Sequence, residues 1–270
     1  RRGAHTPAAQ SISRKAFFGK LLPAIPAHHR ALVCTSAGTG LRWGECVGLM
    51  WGAVDLDART LRVVQVAVET ADAVMIRHYP KTRSGVRMVP IPAFLEYALR
   101  THCEQTGRVG RKDLVFVNRE GGPVWRSTFR RRVWRPALVR AGLLGSVVQL
   151  CPDRWRAGWT DSHGADQVRE FATERDAVQH VAAKAAGGLR FHDLRHSYAT
   201  WLVSDGLPVN VVQRVMGHAR ASTTLNLYTH APEDYDERVR QVISGSADFS
   251  LTSGTEGDSE DGESPSGEGL

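Results

Sequence analysis

His192 and Arg195 stand three residues apart in Phe191-His192-Asp193-Leu194-Arg195-His196-Ser197-Tyr198. On a helix, that spacing puts an imidazole and a guanidinium on one face. Leu194, Tyr198, Trp201 and Leu202 fall on another face, where they can anchor the helix in a core. Two readings of this fragment are even: a chemical pair on a rigid support, or a solvated helix start capped by His192 or Asp193. Gly217-His218 comes next; the glycine suits a left-handed helix cap, which throws His218 out at a corner. Tyr228 follows Ser222-Thr223-Thr224, residues suited to capping a short helix. Taken alone, it reads as a packing or surface tyrosine. Arg42 opens a helix behind Gly38-Thr39-Gly40, where its charge opposes the helix dipole. Glu45, one turn on, can hold that guanidinium, or the two form an ordinary surface ion pair of little energetic weight. Lys81 lies in the polar stretch Lys81-Thr82-Arg83-Ser84-Gly85, with Arg87 close by. There it is either a flexible point charge reaching a ligand or one of several basic residues in plain phosphate contact.

As a set, these side chains suit phosphoryl transfer. Two arginines can clamp the non-bridging oxygens of a phosphodiester bidentately and without losing a proton. Histidines donate hydrogen bonds or accept a proton near neutral pH. A tyrosine, whose ordinary pKa is about 10, needs nearby cations and a base before it becomes a nucleophile. A lysine can protonate the departing oxygen. No carboxylate cluster marks a metal site, so neutralisation falls to the cations, and no cofactor is expected.

The elements that must position these groups read as mainly α with one small antiparallel β-sheet. Helices are expected over His29–Ser36, Arg42–Leu49, Pro92 to about Cys103, the arginine-rich Ser127–Ala141, Asp193–Ser204, Pro208–Met216, Ser222–Tyr228 and Pro232–Ile243. Strands are expected over Thr60–Glu69, Ala73–Tyr79 and Val86–Ile91, with the last two forming a hairpin around Lys81. Residues 1–28 read as an irregular linker and 29–243 as the working domain. Within that domain, 143–188 stands out, with a loop-like Gln149–Gly164 followed by Val168, Phe171, Ala172, Val178, Val181, Ala182 and Ala185 at helical spacing. Cys151, His163 and His180 there match no standard metal spacing. Residues 244–270, rich in Gly, Ser, Asp and Glu, carry too little apolar surface to fold.

Charge is unevenly spread. The 270 residues carry 35 Lys and Arg against 28 Asp and Glu, but from Ser244 onward there are seven acids and no base. Residues 1–243 therefore carry a net +14 against an acidic tail, which favours a polyanionic partner, nucleic acid first. The tail is expected to compete for that basic face. No apolar run reaches membrane-spanning length, and the four scattered cysteines suit a reducing compartment, so an intracellular protein without a membrane is expected. The sequence opens on Arg1 instead of Met and is expected to be part of a longer chain.

The order Arg42, Lys81, His192-x-x-Arg195, His218, Tyr228 resembles the tyrosine recombinase, or phage integrase, family. The matching stretches are Thr39–Asp57, Lys81–Pro92, and Phe191–Leu202 through Met216–His230. The resemblance implies a catalytic domain for site-specific DNA recombination, integration or excision, acting without metal or cofactor on double-stranded DNA in the bacterial cytoplasm, at the nucleoid. It implies Tyr228 as the nucleophile that forms a 3′-phosphotyrosyl link, Arg42 and Arg195 as the oxyanion clamp, and Lys81 as general acid. It further implies that His192 assists proton transfer, that His218 bonds the phosphate and that Glu45 holds a catalytic side chain from behind. Arg83, Arg87, Arg130 and Arg131 are expected to touch DNA, and the working assembly to be a homotetramer on it. The resemblance also implies an N-terminal helical DNA-binding domain that the sequence does not contain, and a shorter connection where 143–188 stands. A type IB topoisomerase and a catalytically inactive DNA-binding protein of the same fold are the alternatives.

Overall fold

The computed structural model describes residues 10–78, 86–107 and 110–217. At its centre lies the helix Ala27–Thr39, buried along its whole second half from Ala31 to Thr39. A helix that apolar on every side needs partners all round, and it packs against Ala93–Thr106 on one flank and Asp193–Ser204 on another. Gly40 ends it in the left-handed region, at φ 64°. A Cβ at that position would stand 2.6 Å from the Tyr198 ring, so glycine is required by backbone and packing alike.

The stretch expected to be a linker is, from residue 10 on, part of the core. Arg14–Ala16, a π-wound Phe17–Leu21 and Leu22–Ala24 run as consecutive helical turns, with Ser13 accepting from the Ala16 N–H at their start. Ile12, Phe17, Leu21 and Ile25 are all buried. The Ile12 N–H donates to Ser197 Oγ and its carbonyl accepts from Trp201 Nε1, which straps the segment onto the helix that carries His192 and Arg195. Short apolar runs interrupted by Lys and Gly hide this helix from a periodicity reading.

The β structure also differs from the expectation of one sheet with a hairpin around Lys81. Thr60–Val63 pairs with Val54–Asp55 and with Arg87–Pro90, whereas Gln65–Glu69 pairs with Val74–His78. The two strands flanking residues 79–85 thus do not pair with each other. They are successive partners of one bent stretch, His78 opposite Gln65 and Arg87 opposite Val63.

Residues 143–188 hold a third sheet that the sequence reading missed. Ser146–Cys151, Arg154–Thr160 and Asp166–Phe171 form it in that order, all antiparallel. Trp155, Ala157 and Trp159 alternate inward, Ala157 fully buried, as a strand period demands. The expected helix begins only at Glu174 and ends at Lys184, with Thr173 capping it; Val168 and Phe171 belong to the preceding strand. These residues form an integrated wall. Arg135 donates to the carbonyls of Ala182, Ala185 and Gly187, and Trp134 Nε1 donates to Leu189 O. His180 packs between the rings of Trp159 and Phe171, and among the described residues no group of three or more His, Cys, Asp or Glu is placed to hold a metal ion. No helix among the described residues is long and apolar enough to cross a membrane.

Several histidines should make the fold acid-sensitive. Burial, then the neighbouring His28, pushes His29 down to about 4, and its ring lies edge-on to Phe129 at 5.3 Å. His28, His180 and His196 are also lowered, each chiefly by desolvation. A histidine whose folded pKa lies below its unfolded value of about 6.5 leaves the unfolded chain binding more protons between the two values. Stability should therefore hold above about pH 6.5 and fall as pH drops towards 4. Melting temperatures of the unmodified chain and of His29→Gln across that window check this: the variant should show the shallower fall, and equal slopes would exclude His29 as a contributor.

Candidate active site

Three remote segments meet at one end of the central helix. Arg195, on the Asp193–Ser204 helix, is 2% exposed. It donates from Nη1 to Gly40 O and from Nη2 to Met216 O, bridging the left-handed cap of one helix to the last turn of another. Burial, then the charge of Arg42, lowers its pKa to about 9, with Glu45 opposing, so it remains cationic at neutral pH.

Arg42 is the N-cap of the short helix Trp43–Val47. Its backbone N–H donates to Glu45 Oε2 at 2.8 Å and its Nη1 to Glu45 Oε1 at 3.3 Å. The side chain is 46% exposed, and Glu45 holds the guanidinium from behind. Glu45 itself is buried and also receives Arg87, through Nη1 to Oε1 at 3.0 Å and Nη2 to Oε2 at 2.9 Å. The pair is therefore no surface ion pair of the weak kind but a desolvated carboxylate shared by two arginines.

His192 sits at the start of the same helix as Arg195, accessible to solvent, its ring edge-on to His196 at 5.1 Å. Partial desolvation, then His196 and Arg195, pushes its imidazole down to about 4 against the pull of Asp193. It is neutral near pH 7 and able to accept a proton. Asp193 does not cap by way of solvent; it is buried, accepts from the Arg190 backbone N–H at 2.7 Å and is gripped by the Arg190 side chain. An aromatic cluster that the sequence reading did not anticipate packs beneath. Trp43, Phe129, Trp134 and Phe191 lie within 4.9–6.4 Å of one another along successive contacts, joining the Arg42 helix, the arginine-rich helix and the His192 turn.

Arg42, Glu45, His192 and Arg195 are thus brought together. Lys81, Arg83, His218 and Tyr228 lie outside the described residues, although Gly217 is seen in the expected left-handed cap, at φ 64°. Arg87 departs from its expectation as a DNA contact: its side chain is 9% exposed and its fork is committed to Glu45. Arg130 and Arg131 are exposed on the helical run Arg126–Phe129, Arg130–Trp134 and Arg135–Arg140. With Arg126 and Arg190 they line a cavity of about 1140 Å³ between that run and the wall formed by residues 143–188.

Comparison with known proteins adds the following. A family model described as the phage integrase family matches residues 17–157 and 169–234. Only 158–168, the hairpin between the last two strands of the third sheet, is left unmatched inside that span, so most of 143–188 falls within the family pattern. Tyrosine recombinase XerC-like from Caldanaerobacter subterraneus subsp. tengcongensis is 29% identical over 231 residues, covering 78% of this chain and 48% of the relative. Tyrosine recombinase XerC from Xylella fastidiosa is 27% identical over 210 residues, 78% of this chain and 51% of the relative. The chain spans about half the length of these curated relatives. Among solved structures, the Tn1549 transposon integrase in complex with transposon right end DNA shares the fold at TM-score 0.58 and 19% identity, over 90% of this chain and 68% of that one. XerA recombinase does so at TM-score 0.53 and 20% identity, over 90% and 65%.

Proposed function

The chain belongs to the phage integrase family, and from that premise we propose that it is the catalytic domain of a tyrosine-type site-specific recombinase. The observation that carries the proposal is the convergence of Arg42, Arg195 and a neutral His192, from segments over a hundred residues apart, on one cation-rich corner.

In this reading the Tyr228 phenolic oxygen attacks the scissile phosphorus, and the bond from phosphorus to the 5′-oxygen breaks. His192 takes up the phenolic proton, while Lys81 gives a proton to the leaving 5′-oxygen. Arg42 and Arg195 neutralise the non-bridging oxygens as charge builds there, and His218 adds a hydrogen bond. The phosphodiester's energy is kept in the 3′-phosphotyrosine, so a 5′-hydroxyl from another strand reverses the step and rejoins DNA. Arg130 and Arg131 contact the duplex backbone beside the site. Exchange between two duplexes requires several protomers, and a homotetramer on DNA, at the bacterial nucleoid, is the assembly that fits. The relatives' recombinase names support this reading over relaxation by a topoisomerase or binding alone, and the Tn1549 complex shows the same fold bound to DNA.

The test is incubation with nicked duplexes selected by binding from a randomised pool, followed by denaturing electrophoresis for a covalent protein–DNA adduct. Adduct should form, and its yield in EDTA should match that without chelator, since fixed cations do the neutralising. Loss of adduct in chelator with recovery on adding magnesium would point to a different nuclease chemistry.

A further inference from the structure

We infer that Arg87 is a positioning residue of the cleavage centre, one that keeps the buried Glu45 from capturing Arg42; the inference rests on the strand-cleavage reading above. Glu45 holds two arginines unequally. Arg87 makes two parallel bonds to it at 3.0 and 2.9 Å, whereas Arg42 makes one side-chain contact at 3.3 Å. Their exposures divide the same way, 9% for Arg87 and 46% for Arg42. A desolvated carboxylate must be neutralised by a cation, and the planar fork of Arg87 matches it bidentately. Among the described residues Arg42 is thereby tethered by one edge, with its half-exposed guanidinium able to meet a phosphate.

With Arg87 gone, Glu45 loses its bidentate partner in a poorly solvated place, and among the described residues the cation left bonded to it is Arg42. Attraction at short range and low dielectric is strong enough to draw that guanidinium into a fork of its own. An Arg42 turned inward no longer clamps an oxyanion.

Arg87 also touches the other half of the centre. Its Nε donates to Val215 O at 3.2 Å, beside the Met216 carbonyl that Arg195 grips. A Cβ on Gly217 would meet its Cδ at 3.0 Å. One guanidinium thus fixes Glu45 behind Arg42 and the backbone turn that immediately precedes His218. Its own strand, Arg87–Pro90, begins just after the stretch that contains Lys81.

The experiment compares Arg87→Lys, Arg87→Met and the double variant Arg87→Met/Glu45→Gln with the unmodified chain on the nicked duplexes described above. Single-turnover adduct formation should fall on the order of a hundredfold in Arg87→Met, as for loss of an oxyanion donor. Arg87→Lys should fall less. Adding Glu45→Gln removes the charge that captures Arg42 and should restore part of the rate, about tenfold, which a merely structural role would not do. Any fall in DNA affinity or in its salt slope should accompany the loss of rate, because it is Arg42 that is withdrawn from a phosphate. A slope lowered by one with an unchanged rate per bound complex would make Arg87 a DNA contact and overturn the inference. So would a lower melting temperature with unchanged rate, or a double variant no faster than Arg87→Met. If Arg87→Met fails to fold, Arg87→Gln and Arg87→Gln/Glu45→Gln carry the same comparison: a faster double variant supports the inference, and one no faster than Arg87→Gln overturns it. Absence of adduct with the unmodified chain overturns the strand-cleavage reading together with this inference, whereas adduct undiminished by Arg87→Met overturns the inference alone.

Discussion

Tyr228→Phe should abolish the covalent adduct while leaving DNA affinity and melting temperature where they were. The substitution deletes one oxygen, and that oxygen is the atom that would bond to phosphorus. No neighbouring group replaces a covalent nucleophile, so the loss should be on the order of 10⁴-fold or more, as for other nucleophile deletions. The structure removes one competitor. Tyr198 is buried against Gly40, and burial raises its hydroxyl to about 12, leaving it neither accessible nor ionisable at working pH. Tyr235 lies, with Tyr228, outside the described residues. Single-turnover reactions resolved on denaturing gels decide between them. Adduct that persists in Tyr228→Phe and disappears in Tyr235→Phe would transfer the role.

The second large effect separates the two clamp arginines. Arg42→Lys and Arg195→Lys keep the charge but lose the planar fork, and each should lower the cleavage rate by about 10²–10³-fold, or about 2.7–4 kcal/mol of transition-state stabilisation. Their effects on stability should differ. Arg42 is half-exposed and among the described residues its tip bonds only Glu45, so Arg42→Lys should melt within a degree or two of the unmodified chain. Arg195 is buried and bonds the carbonyls of Gly40 and Met216, which a lysine's single ammonium cannot serve in the same geometry. A buried acceptor left unpaired costs about 1–3 kcal/mol, so Arg195→Lys should also melt several degrees lower. Thermal melts beside single-turnover rates test both halves. Near-normal rates in either variant would reduce that arginine to a structural role.

Some of this protein was legible residue by residue. Helix starts and stops depend on nearby atoms, so the glycine cap at Gly217, the span Asp193–Ser204 and the pairing of Arg42 with Glu45 could be read from their own neighbourhoods. Residue type and order suggested a phosphoryl-transfer set, and of that set the described residues bring Arg42, Glu45, His192 and Arg195 together. The third sheet had a local signal too, the inward alternation of Trp155, Ala157 and Trp159, but Val168 and Phe171 also fit a helical spacing and were read that way.

What the tertiary structure alone decided is which groups satisfy one another across the chain. Arg195 finds its acceptors 155 and 21 residues away, and both are backbone carbonyls, which no side-chain pattern reveals. Arg87 looks like any basic residue beside a polar loop until Glu45, 42 positions earlier, is folded beneath it. The bent stretch Thr60–Glu69 carries the same alternation whichever strand lies beside it, so its division between Arg87–Pro90 and Val74–His78 came from packing. The turns around Phe17 are short and broken in sequence, and they become helix and core only because Ser197 and Trp201 tie down Ile12 ahead of them. Local chemistry names the groups and starts the helices; a buried charge or an open backbone acceptor is satisfied only by what the completed fold brings within about 3 Å.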